Sequence, residues 1–147
     1  VYADRKTLLA WFISLFAALA CVTASAASTD ADQAARAMRD IWDKPEAPLL
    51  VEPVVIEGDY ALAGWVQQER GGRALLRKVH GQWRVHVCGG DGLKDADALA
   101  MAGMSPEAAG KLAAAASDAE AKLPTAHRAK FALFGQNIVV DAAHGAH

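Results

Sequence analysis

Apolar positions along this chain follow three rhythms. Residues 8–22 are almost unbroken in hydrophobicity, with Trp11, Phe12, Ile13 and Phe16 inside the run and Arg5 and Lys6 before it. A positive segment followed by a short apolar one is the order of a secretory signal. The run falls short of the ~20 residues a membrane-spanning helix needs. The small-residue triplet Ala24-Ser25-Ala26 predicts cleavage before Ala27, so 1–26 reads as a signal peptide and the destination as the periplasm. A lipoprotein anchored at Cys21 is the alternative, because Ala18-Leu19-Ala20-Cys21 loosely resembles a lipobox.

The second rhythm is helical. Ala31, Ala34, Ala35, Met38, Ile41 and Trp42 recur at the 3.6-residue period and predict a helix over 29–42, with Asp30 and Gln33 placed as a capping box. Pro45 and Pro48 end it. The third rhythm, alternating and β-branched, predicts strands over 49–56, 60–67, 73–79 and 82–88. Pro53 marks an edge or a bulge in the first. Gly58-Asp59, Gly71-Gly72 and His80-Gly81 punctuate them as turns, which gives a four-stranded antiparallel meander. Helical spacing then returns. Asp95 caps a short helix over 96–102 that Gly103 ends. Ser105-Pro106 opens a long one to 123, stopped by Pro124. A third helix over 125–134 closes at Gly135, and Ile138-Val139-Val140 forms a short final strand. The fold class is therefore α+β: an N-terminal helix, the meander, then helices and a last strand, as a single domain over 27–141 with a flexible tail over 142–147. Helices rich in small residues are expected to cover the sheet's apolar face.

Composition narrows the function. Of 147 residues, 15 are Lys or Arg and 17 Asp or Glu, a net charge of −2. Nucleic-acid-binding domains carry a clustered basic surplus, so no nucleic-acid partner is expected, nor any stable membrane span once the signal is removed. About 120 residues bury enough surface to fold without crosslinks. Only Cys88 would survive removal of the leader, since the other cysteine is Cys21. The Gly-x-Ser-x-Gly, His-Glu-x-x-His, Walker, Cys-x-x-Cys and Gly-x-Gly-x-x-Gly motifs are all missing, and a non-enzymatic protein is the expectation.

The chemistry that remains gathers around one strand. In Trp83-Arg84-Val85-His86-Val87-Cys88 strict alternation puts Trp83, Val85 and Val87 on one face and Arg84, His86 and Cys88 on the other. With a two-residue turn at His80-Gly81, Leu75 falls opposite His86, Arg73 opposite Cys88 and Arg77 opposite Arg84. Guanidinium neighbours would lower the thiol's pKa. A buried Cys88 acting as a small hydrophobe is the bland alternative. Met101 and Met104 lie three residues apart, and thioether, thiolate and imidazole together suit Cu(I). His144 and His147 in the tail could also ligate a metal, whereas His127, beside Arg128 and Lys130, reads as solvated. The glycine-rich Gly89-Gly90-Asp91-Gly92 could cradle an anion or serve only as a sharp connection. A small thiol enzyme using Cys88 with His86 and Asp91 is the weakest reading, because adjacency on a strand supplies neither a base on the sulfur nor an oxyanion site.

The segments Trp42-Asp43-Lys44-Pro45-Glu46-Ala47-Pro48-Leu49, Val51-Glu52-Pro53-Val54-Val55, Gly58-Asp59-Tyr60-Ala61, Gly71-Gly72-Arg73-Ala74-Leu75-Leu76-Arg77 and Cys88-Gly89-Gly90-Asp91-Gly92-Leu93-Lys94-Asp95 resemble the family called copper uptake system-associated proteins, small exported bacterial proteins. The resemblance runs over most of the chain after residue 26. It implies a periplasmic accessory role in copper uptake or homeostasis, with copper or a copper-uptake protein of the cell envelope as what is bound. It implies no defined reaction and no ligand set. The runner-up from another class is an interaction module that never touches metal.

Overall fold

The protein is described by a computed structural model over residues 28–140. The predicted signal peptide and tail, with Cys21, His144 and His147, lie outside the described residues.

Helix α1 (Asp30–Trp42) starts at Thr29, whose side chain accepts from the Asp32 amide while the Asp32 carboxylate accepts from the Thr29 amide. The capping box is thus Thr29 with Asp32, not Asp30 with Gln33. Asp30 is engaged elsewhere: its Oδ1 accepts from Lys78 Nζ at 2.6 Å and Trp83 Nε1 at 3.2 Å, pinning the helix start to the sheet. Ala34, Ala35 and Met38 form the buried stripe.

Strands β1 (Leu50–Glu57), β2 (Tyr60–Gln67), β3 (Arg70–Val79), β4 (Gln82–Gly89) and β5 (Ile138–Val139) form one antiparallel sheet in sequence order. The β1 register shifts between Val51 and Val54, where Pro53 interrupts pairing as anticipated. A turn at Gln68-Glu69, with Gln68 at φ 55°, joins β2 to β3. Gly71 and Gly72 are therefore not turn residues; they pair with Val66 and Trp65 inside the sheet. They are glycine because the C-terminal segment lies directly on them. A Cβ on Gly71 would stand 2.6 Å from the Lys130 carbonyl oxygen, and one on Gly72 2.8 Å from Phe134 Cβ.

After β4 come a 3-10 turn (Asp91–Lys94) that the periodicity did not foreshadow, then α2 (Ala96–Met101), α3 (Pro106–Glu120) and α4 (Thr125–Phe131). Asp95 and Ser105 cap α2 and α3 as expected. Both faces of the sheet are covered, not one. On one side α1 packs on Ala61, Ala63, Ala74, Leu76, Trp83 and Val85. On the other, Leu99, Ala109, Leu112 and Ala116 pack on Leu62, Leu75 and Val87. Two-sided burial explains why β2 and β3 carry unbroken runs of buried residues rather than alternating ones.

Candidate functional site

Between β3 and β4 the pairing slips by one residue: Leu76 faces Val85 but Leu75 faces Val87, so His86 is the extra residue of a β-bulge. A bulge re-aims the side chains beyond it. Cys88 consequently packs with Trp83 and Val85 on the α1 side, and Val87 joins the opposite core. The expected grouping of Trp83, Val85 and Val87 holds for the first two only. Cys88 pairs with Ala74, and Arg73 with Gly89. Arg73 belongs to the α3 side, where it bonds Glu120, so the guanidinium expected opposite Cys88 lies across the sheet from the thiol.

The α1 side is only partly filled by that helix. Beyond its C-terminus lies a pocket of about 240 Å³ with Cys88 in its lining. Trp42 and Leu49 line it from the chain leaving α1, Trp65, Gln67 and Arg70 from the β2–β3 hairpin, and Phe134, Ile138 and Val140 from the C-terminal segment. That segment is held by β5 pairing to Val87 and Cys88 and by the Val140 amide donating to the His86 carbonyl at 2.9 Å. Trp65 and Phe134 meet edge to face with centroids 5.9 Å apart.

Two polar groups interrupt the apolar wall. Gln67 is 8% exposed, and its Nε2 donates to the carbonyls of Trp42 at 2.8 Å and Ala47 at 2.7 Å. It ties the chain after α1 to β2 and so shapes one wall. Arg70 is exposed at the mouth and joins none of the ion pairs among the described residues. Cys88 is 7% exposed, and burial pushes its thiol up to about 11. This is the reverse of the lowered pKa expected of a thiol among guanidinium groups. Ile138 in the lining is itself 54% exposed, and Ile41, next to Trp42, is exposed too, whereas the exposed Leu50 and Val139 pair with Val66 and Val87 and project from the other face of the sheet.

The other candidates are dispersed. His86 Nε2 lies 3.1 Å from the Ala102 carbonyl oxygen, beside the end of α2 and across the sheet from Cys88. Met104 is buried in the α2–α3 core at 5% exposure, whereas Met101 is 90% exposed. The set Cys88, His86, Met101 and Met104 is therefore not brought together, and among the described residues no three His, Cys, Asp or Glu side chains gather as a metal site. A Cβ on Gly89 would collide with Asn137 and one on Gly90 with the Phe134 carbonyl, so those glycines serve close packing against the C-terminal segment. Asp91 Oδ1 accepts from Arg73 Nη1 at 3.1 Å, which engages the one carboxylate of the proposed anion loop and separates it from Cys88 as a catalytic partner. His127 is not solvated: its side chain is largely covered, stacks edge-on against Phe131, and has Nδ1 3.7 Å from Glu52 Oε1.

Two features escaped sequence reasoning. Arg73, 2% exposed, makes a two-pronged ion pair with Glu120 through Nε at 2.7 Å and Nη2 at 2.8 Å, beneath the ring of Phe131. The pocket itself also went unseen, because its walls come from segments up to 98 residues apart, Trp42 to Val140. A sequence signal did exist: Trp42, Trp65 and Phe134 are large aromatics at the ends of elements, where core filling alone does not require them.

No helix among the described residues is long and apolar enough to cross a membrane. No family model, curated protein or solved structure matches the chain.

Proposed function

We propose that this protein is a non-enzymatic binding accessory of bacterial copper uptake, exported to the periplasm, and that it works by docking a component of the uptake system in the aromatic pocket. The observation that carries the reading is convergence. Trp42 and Leu49 bound one of the segments that resemble copper uptake system-associated proteins, Gly72 lies in a second beneath Phe134, and Cys88 opens a third; all three meet at this pocket. An apolar concavity with a few polar groups is the usual form of a binding site. The neutral thiol and the separation of Cys88 from His86 and Asp91 argue against nucleophilic catalysis.

Copper is then cargo of the system rather than a resident of the strand. The test is deletion of the gene in its native host, with cell copper measured in copper-poor medium. The expected result is a deficit restored by the exported wild-type protein. Unchanged copper content would overturn the reading.

A further inference from the structure

We infer that the pocket receives the C-terminal residue of a partner protein, its apolar side chain filling the cavity and its free carboxylate held by Arg70; the inference rests on the binding role just proposed and names the ligand chemistry. Size comes first. Apolar cavities of about 150 Å³ take up benzene, so about 240 Å³ accommodates one phenyl or branched aliphatic side chain with part of its backbone.

Charge comes next. Arg70 lines the same small cavity as Trp42, Trp65 and Phe134, and among the described residues no carboxylate pairs with it. A ligand meeting both must carry an apolar group and an anion within one residue of each other. A chain end does so, and guanidinium is well suited to grip carboxylate.

Gln67 supplies a third, independent match. It is buried in the wall, and its Nε2 is spent on two backbone carbonyls. Its Oε1 accepts nothing among the described residues, which leaves an acceptor for the ligand's last amide N–H. Ile138, 54% exposed in the lining itself, and exposed Ile41 beside Trp42 at the end of α1 favour a protein over a free acid, since apolar surroundings around a pocketed anchor are the pattern of protein interfaces.

Calorimetry on the purified protein tests this with three probes: acetyl-Ala-Ala-Phe as the free acid, the same tripeptide as its C-terminal amide, and 3-phenylpropionate. The acid is expected to bind about tenfold more tightly than the amide and than 3-phenylpropionate. Arg70→Gln, at an exposed position, should bring acid and amide to within about twofold of each other. Val140→Trp and Ile138→Trp, two separate ways of filling the cavity, should each weaken both peptides about tenfold. Equal binding of acid and amide to the wild type, or a preference that survives Arg70→Gln, overturns the inference. So does tight binding by either filled variant that remains folded, and 3-phenylpropionate binding as well as the tripeptide would make this a small-acid site instead. A dimer in sedimentation that none of the probes dissociates would give the pocket to a second copy. The wider reading is judged separately by cell copper. Full restoration of a deletion strain by Arg70→Gln removes the chain-end inference alone, while absence of any deficit removes the copper role whatever the calorimeter shows.

Discussion

A thiol in the lining of an apolar pocket has little water to solvate its anion, and burial alone raises the Cys88 pKa to about 11 against an ordinary 9.0. The folded state therefore keeps its proton where the unfolded chain has lost it, so this group's contribution is complete below pH 9 and declines as pH rises from about 9 to about 11. Urea midpoints of wild type should fall more steeply across that window than those of Cys88→Ala; parallel curves would contradict a buried, neutral thiol. At pH 8, iodoacetamide should alkylate Cys88 far more slowly in the native protein than in urea. Arg73 and Glu120 show the opposite case, two charges buried together. Removing one partner leaves the other stranded, so Arg73→Met or Glu120→Leu should each cost about 3–5 kcal/mol, and the two together much less than the sum. Additive losses in a double-mutant cycle would show that the two side chains do not act as a unit.

At the scale of elements, the bulge at His86 decides more than any single contact. Alternation along Trp83 to Cys88 located the buried face correctly up to Val85, and Trp83→Ala should still cost about 3–5 kcal/mol against little for the exposed Gln82→Ala. Equal urea midpoints for the two would invalidate the strand's register. One extra residue then exchanged the faces of Val87 and Cys88 and separated the thiol from His86, and nothing in the local residue types announces a bulge at a histidine. Gly71-Gly72 misled for a related reason. Glycine pairs commonly mark turns, but here the sheet needs two positions without a Cβ so that Lys130 and Phe134 can lie against it. The seating of α1 was only partly visible: its buried stripe follows from periodicity, whereas the anchorage of Asp30 on Lys78 and Trp83 depends on contacts about 50 residues away. The Lys78 hydrogen bond, followed by that of Trp83, holds the Asp30 pKa below 3.8. The stability this gives is present above that value and lost as pH falls below it. Asp30→Asn should accordingly flatten the acid limb of the stability curve, and an unchanged limb would show that the ion pair contributes nothing in solution.

The whole molecule is a sheet with a helix on one side and three on the other, and its pocket exists because α1 is too short to cover its face. Element types and order were legible because the apolar periods change cleanly, and caps such as Asp95 and Ser105 stand where helices begin. Cys88 was legible as a strand residue. Its partners were not: Trp42, Trp65, Arg70 and Phe134 reach it only after the hairpin at Gln68-Glu69 and the return of the C-terminal segment along β4 have closed the walls. On the proposed function this pocket, and not a metal site on the strand, is the working part. Complementation of a deletion strain in copper-poor medium separates the two most directly, by measuring cell copper with exported Val140→Trp and exported His86→Ala, each confirmed to be folded and present at wild-type level. Loss of copper accumulation with Val140→Trp and full restoration by His86→Ala is the predicted result, and full restoration by Val140→Trp with failure of His86→Ala would contradict it.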